Sequence, residues 1–223
     1  MNKILQRVKD SFRDKALFEQ SLTHRSWINE NPGKRESNER LEFLGDAILE
    51  FVVSSTLYNE LPDKEEGFLT ALRANLVNTI NLTELARKIG VGEELFLSRG
   101  ELRGGGNDNT SILADTVEAI IGAVYIDQGF DAAKAFIDEN ILIDLAVKMK
   151  QPLKDPKSRF QEEVQARGYL TPKYHVVNEN GPDHDKEFVV EVIVGGKAMA
   201  TGNGKSKNEA EQSAAKAALE NLS

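Results

Sequence analysis

The chain has no cysteine, which excludes disulfides and thiolate metal sites. It also lacks any apolar run near the roughly 18 residues that a membrane-spanning helix needs, so no membrane partner is expected. Its first residues, Met1-Asn2-Lys3-Ile4-Leu5-Gln6-Arg7, mix charged and apolar side chains without the continuous apolar segment of a signal peptide. A cytoplasmic location is therefore expected. Positive charge is scarce as well. The formal net charge is -8, which argues against generic electrostatic binding of nucleic acid. Residues 155–223 hold nine Lys/Arg against eleven Asp/Glu, a net of -2, which leaves -6 for the remainder. Neither part is basic, so any nucleic-acid contact has to come from local patches. No internal repeat or low-complexity tract is present. What remains is a globular balance, 40% hydrophobic and 29% charged over 223 residues, enough for one large domain or two smaller ones.

One boundary stands out. Lys148 to Pro156 contains two prolines and three lysines and has no apolar periodicity, so it reads as a linker. Upstream, apolar residues recur at spacings of three and four near 38–60, 66–77, 81–89, 111–127 and 131–147, with Gly, Pro or Asn between the segments. This predicts an all-α domain over 1–147. After the linker at 148–154, the pattern over 155–223 changes. Residues 156–167 form an amphipathic helix ended by Gly168, and Tyr174 to Val177 starts a strand. Residues 187–194 alternate with a period of two, Gly195-Gly196 signals a hairpin, and Lys197 to Thr201 gives a third strand. An alanine-rich helix over 207–221 follows. The expected fold is therefore multidomain: an all-α domain, then a small α+β domain of order α-β-β-β-α.

Chemistry concentrates in carboxylates. Glu42 and Asp46 share a helix face at i, i+4, with Asn38 as the expected N-cap. Leu49 and Val53 fall on the same stripe, and the helix is apolar nearly all round, which predicts burial in a bundle. A second pair, Asp115 and Glu118, sits at i, i+3 on another apolar helix beginning near Ser111. Gly45 borders the first pair and Gly122 lies on the face of the second. A helix glycine lets a neighbour come close, so the two helices are expected to cross with four carboxylates converging. Buried carboxylates need a cation or many donors. Oxygen-only ligands suit Mg²⁺ or Mn²⁺, and the lack of a nearby histidine or cysteine argues against zinc. Acidic residues early in a helix also complement its dipole, and Asp115 lies four residues past Ser111, the candidate cap. The pairs alone fit either reading.

Asn38 to Asp46, NERLEFLGD, resembles the signature of ribonuclease III endonuclease domains. Ser111 to Asp127, SILADTVEAIIGAVYID, is similar to that family's second motif, and Glu65-Glu66-Gly67 to a third element between them. The resemblance runs over nearly the whole chain. It implies that Glu42, Asp46, Asp115 and Glu118 bind catalytic metal, with Asp46 and Glu118 central to catalysis. Glu66 would be a further acidic residue near the site, and Glu39 and Arg40 structural. The family is all-α in this domain and works as a homodimer, with one centre cutting each strand of an RNA duplex. Phe43 matches an aromatic position that inserts into the partner subunit, ordinary core being the alternative. The implied cofactor is Mg²⁺, replaceable by Mn²⁺, with no small-molecule cofactor. Products would carry 5′-phosphates and 3′-hydroxyls, and the substrates would be ribosomal RNA precursors and structured messenger RNAs.

Residues 155–222 look like a double-stranded RNA-binding domain. Such domains read A-form shape across two minor grooves and the phosphates between them. The resemblance places contacts at Gln161 and Glu162, at His184 in the Gly181-Pro182-Asp183-His184 loop, and at Lys205, Ser206 and Lys207 before the last helix. Two departures weaken phosphate binding: Asn208 stands where a further lysine is usual, and Gly104 to Thr110 lacks the arginines that many relatives carry. Two other readings fit part of the pattern. A non-catalytic RNA-binding relative would have lost the carboxylates, and a small-ester phosphohydrolase would have no use for a duplex-reading module.

Overall fold

The computed structural model describes residues 2–143, 145, 155–181 and 186–222. It divides into two compact units, Met1–Gln151 and Pro152–Ser223. The linker residues 148–154 lie outside the described set.

Among the described residues the first unit is helical: α1 (Lys3–Ser11), α2 (Lys15–Ser21), α3 (Arg25–Glu30), α4 (Glu39–Glu60), α5 (Glu66–Leu76), α6 (Thr79–Ile89), α7 (Arg99–Arg103), α8 (Thr110–Gln128) and α9 (Phe130–Asn140). α8 is the centre of the unit and packs on α2, α4, α6 and α9. Its buried residues run almost continuously from Ile112 to Val124, which is why its sequence is apolar on every face. Burying each of its large aliphatic side chains contributes roughly 1.5–3 kcal/mol. Thr116, fully buried in this helix, is satisfied by donating its hydroxyl to the Ile112 carbonyl at 2.6 Å.

Several expectations are corrected here. α4 is not buried all round. Leu49 and Val53 are buried, but Phe43, Phe51 and Tyr58 are exposed on another face. Asn38 occupies the N-cap position of α4 without capping it. Instead, its backbone N–H donates to Thr23 (2.9 Å) and its side-chain amide to Ser21 (3.4 Å), tying the helix start to the end of α2. α8 is capped by Asn109, not Ser111: the Asn109 side chain accepts from the N–H groups of Ser111 and Ile112 at 3.0 and 3.2 Å. α9 ends at Asn140, and residues 144, 146 and 147 of the expected segment lie outside the described set.

The second unit comprises α10 (Pro156–Ala166), β1 (Lys173–Asn180), β2 (Glu187–Val194), β3 (Lys197–Gly204) and α11 (Lys207–Leu222). Asp155 caps α10 by accepting from the N–H groups of Lys157 and Ser158 at 3.1 and 3.2 Å, and Pro156 fills the first helical position. The sheet is antiparallel in the order β1-β2-β3. Val190, Val192 and Val194 point inward and pack with Phe160, Val164 and the alanines of α11. Gly195 and Gly196, at φ of +58° and +81°, make the β2–β3 turn with left-handed backbone that other residues rarely adopt. β1 continues past Val177 to Asn180 because a bulge leaves Val177 out of register while Asn178, Glu179 and Asn180 pair with β2.

Candidate active site

The site begins at a helix crossing. A methyl group on Gly45 would lie 1.8 Å from the Glu118 carbonyl oxygen, and one on Gly122 would lie 2.2 Å from the Leu41 carbonyl oxygen. No side chain fits between α4 and α8 there, so their backbones touch. That contact brings Glu42 beside Asp115 and Glu118, with one carboxylate oxygen from each within 4.8 Å of the others. Asp46, one turn along α4, is exposed and outside this trio. Glu50, a further turn along, holds Arg73 of α5 at 2.8 Å, and Arg73 also donates to Ser54 at 3.0 Å.

The trio is electrostatically strained. Burial, followed by the charges of Asp46, Asp115, Glu42 and Glu50, pushes the Glu118 carboxyl up from 4.5 to about 8. Burial and then Asp115, Glu39 and Asp46 raise Glu42. Burial raises Asp115 too, against a lowering by the charge of His24. None of the three accepts a hydrogen bond from a described residue. Partly buried carboxylates without donors are the condition that a bound divalent cation relieves, and the oxygen-only set fits a hard one. Dipole complementation does not explain the second pair. With Asn109 as cap, Asp115 lies beyond the first turn, where α8 has no acidic residue. It does apply to Glu42.

A pH effect follows. Glu118 has an ordinary value of 4.5 and a folded value of about 8, so the folded chain retains a proton that the unfolded chain has lost. The stability from this group is complete below about 4.5 and is lost as pH rises through about 8. With chelator present, the melting temperature should fall between pH 5 and 8; a flat profile would show that folding does not raise the Glu118 carboxyl.

In the second unit, Gln161 and Glu162 lie on the exposed face of α10, opposite Phe160 and Val164. Lys205, Ser206 and Lys207 are exposed at the start of α11. Part of this helix start is already engaged. Ser206 Oγ accepts from the Glu209 N–H at 3.2 Å while the Glu209 carboxylate accepts from the Lys205 N–H at 2.8 Å, two contacts that close the turn into α11. His184 lies outside the described residues.

Residues 14–145 match the ribonuclease-III-like family. Ribonuclease 3 of Natranaerobius thermophilus is 47% identical over 94% of this chain and 91% of its own length. Ribonuclease 3 of Chloroflexus aggregans is 44% identical over 95% and 93%. The chain belongs to the ribonuclease III family. Residues 156–222 of this ribonuclease III match the double-stranded RNA binding motif, and the chain is accordingly a ribonuclease III-type endonuclease acting on double-stranded RNA. Its first unit resembles the nuclease domain of ribonuclease III from Campylobacter jejuni, which was solved with a flexible region involved in dimer formation. That likeness has a TM-score of 0.56 at 39% identity, covering 63% of this chain and 98% of the other. No described helix is long and apolar enough to cross a membrane.

The other predicted residues are placed as follows. Glu66 stands in the first turn of α5, where its carboxylate accepts from Thr70 Oγ1 at 3.0 Å, and it is not part of the trio. Phe43 is 80% exposed, so it is not ordinary core. Sequence reasoning missed Glu50, Arg73 and His24. Glu50 was legible, because it continues the Glu42–Asp46 spacing by four. Arg73 and His24 were not. The charge of His24 acts on Asp115, and the residue is anchored where its N–H donates to the Phe96 carbonyl at 3.1 Å and the neighbouring Thr23 carbonyl accepts from Asn38. A histidine therefore lies near the carboxylates, contrary to expectation, although it is not one of the trio and its Nδ1 is engaged by Ser26 Oγ at 2.8 Å.

Proposed function

We propose that Glu42, Asp46, Asp115 and Glu118 of this ribonuclease III bind Mg²⁺, with Mn²⁺ able to substitute, and that Asp46 and Glu118 are central to hydrolysis of each RNA strand. The observation that carries this reading is the donor-free grouping of Glu42, Asp115 and Glu118. When bound, the ion acidifies a water as nucleophile and offsets charge on the attacking and leaving oxygens. Glu42 and Asp115 fix the position of the centre from two helices, and Glu118, ionised once a cation offsets its neighbours, completes it. Asp46, exposed one turn away, extends the acidic face toward solvent, and Glu66 adds acidity at its edge. Because water is the nucleophile, the 2′-hydroxyl serves recognition only, and the products carry 5′-phosphates and 3′-hydroxyls.

The duplex is held by Gln161, Glu162, Lys205, Ser206 and Lys207, with His184 reaching a minor groove. Two copies of the chain cut opposite strands. Support for a homodimer comes from the exposed Phe43, Phe51 and Tyr58 along α4, apolar surface that a second copy would cover. Ribosomal RNA precursors and structured messenger RNAs in the cytoplasm are the proposed substrates. A labelled RNA duplex should be cut in Mg²⁺ or Mn²⁺ and remain intact in chelator, with 5′-phosphate ends on the fragments; cutting in chelator overturns the role of the ion. Deleting residues 150–223 should reduce duplex affinity at physiological salt while some cleavage persists at low salt.

A further inference from the structure

Glu179, near the end of β1, is paired with both lysines that flank it. Its carboxylate lies 3.2 Å from Lys186 Nζ and 3.6 Å from Lys207 Nζ. The sheet register explains the arrangement. Glu179 stands opposite Phe188 of β2, and Phe188 stands opposite Gly204 of β3, just before the chain turns into α11. The Phe188 ring is a platform for both ammonium groups, with Lys186 Nζ 5.9 Å and Lys207 Nζ 5.7 Å from its centroid. The hydrogen bond from Lys186, with the charge of Lys207 adding, holds the Glu179 carboxyl below its usual range.

We propose that Glu179 is an internal stand-in for an RNA phosphate: it occupies the Lys207 ammonium in the free protein and must be displaced when a duplex binds. The inference rests on the reading that Lys207 contacts phosphate. A carboxylate and a phosphate oxygen compete for the same donor, and the longer of the two Glu179 contacts is the one to Lys207, the more easily given up. Glu179 therefore lowers affinity for all duplexes alike without touching sequence or shape readout. Its effect adds to that of Asn208 and of the acidic composition of this unit.

The test is equilibrium binding of the full chain to a blunt RNA duplex longer than the roughly 16-base-pair footprint of such a domain. Chelator suppresses cleavage, and salt is varied. Glu179→Gln should bind roughly two- to fivefold more tightly, the range expected for an exposed ion pair. The slope of log K against log salt should steepen by up to about one, because in wild type the displaced carboxylate takes up a cation that offsets the counterion released by Lys207. Unchanged or weaker binding, or tighter binding at an unchanged slope, overturns the inference. Lys207→Gln separates the two levels. If it binds like wild type, the phosphate role of Lys207 fails; if it weakens binding while Glu179→Gln changes nothing, only the masking role fails. In a Lys207→Gln background, Glu179→Gln should give no gain, and a gain retained there assigns the effect to another cation and overturns the proposal.

Discussion

Glu118→Gln should abolish duplex cleavage while leaving duplex binding within about twofold of wild type. The variant keeps the size and helix position of the residue but removes an anionic oxygen from a site whose proposed role is to hold a cation. Loss of the charge that positions the metal is expected to lower turnover by roughly 10³-fold or more, about 4 kcal/mol in barrier height. Single-turnover cleavage with saturating enzyme reads this directly, because RNA held by the second unit removes binding as a variable. The same substitution should act on stability in the opposite direction. Wild-type Glu118 is pushed to about 8 by burial and four neighbouring carboxylates, so its ionised form opposes folding at neutral pH without a cation. In chelator, Glu118→Gln should therefore melt higher than wild type at pH 8, and the gap should close toward pH 5. Adding Mg²⁺ should raise the melting temperature of wild type more than that of the variant. Cleavage at the wild-type rate would remove Glu118 from the centre, and lower stability at pH 8 would mean that the residue is structural.

Gly45→Ala and Gly122→Ala should be severely damaging single-methyl additions at the helix crossing. The added carbon on Gly45 would sit 1.8 Å from a carbonyl oxygen, and that on Gly122 2.2 Å from another, distances that only separation of the helices can relieve. Both neighbours are backbone, so no rotamer change absorbs the clash. Alanine favours helix by up to about 1 kcal/mol over glycine. Overpacking of this severity outweighs that gain, for an expected net loss of about 3 kcal/mol. For a chain of this size that corresponds to a fall in melting temperature of roughly 6–12 °C. Gly67→Ala is the control: an added methyl there meets nothing within 4 Å, so it should be neutral or slightly stabilising. Because Gly45 presses on the Glu118 carbonyl, cleavage by Gly45→Ala should fall further than stability alone explains, by about 100-fold if Glu118 shifts by about 1 Å. Full activity with unchanged melting would show that α4 and α8 do not meet at these residues.

The helix crossing was legible because glycine inside an otherwise strong helix pattern has few explanations besides close approach. That two such glycines each bordered an acidic pair pointed to one shared crossing. What was not legible was how far the carboxylates converge. Spacing puts Glu42 and Asp46 on one face, but adjacent turns of a helix are displaced along its axis, so α8 can approach one turn closely while the next faces solvent. The exposure of Phe51 and Tyr58 on α4 was not legible for a related reason. An all-round apolar pattern describes a helix covered on every side, and among the described residues these two rings and Phe43 stay exposed.

In the second unit, periodicity, the Gly-Gly turn and alanine spacing were enough for element order, since each is a local preference of the backbone. β1 ran longer than expected because polar Asn178, Glu179 and Asn180 carry no strand signal until β2 supplies hydrogen-bond partners. The same pairing placed Glu179 between Lys186 and Lys207, a contact that no linear pattern encodes.

The chain by itself determined the two kinds of domain, the order of their elements, the acidic residue types and the family, because these depend on local propensity and on motifs contiguous in sequence. Only the tertiary structure decided which carboxylates converge, that Glu50 beyond them pairs with Arg73, that the charge of His24 acts on Asp115, and that Lys207 is already partnered. Those facts depend on distances between residues far apart in the chain. Such distances are set by how closely α4 and α8 pack and by how the strands register, which the interior as a whole decides.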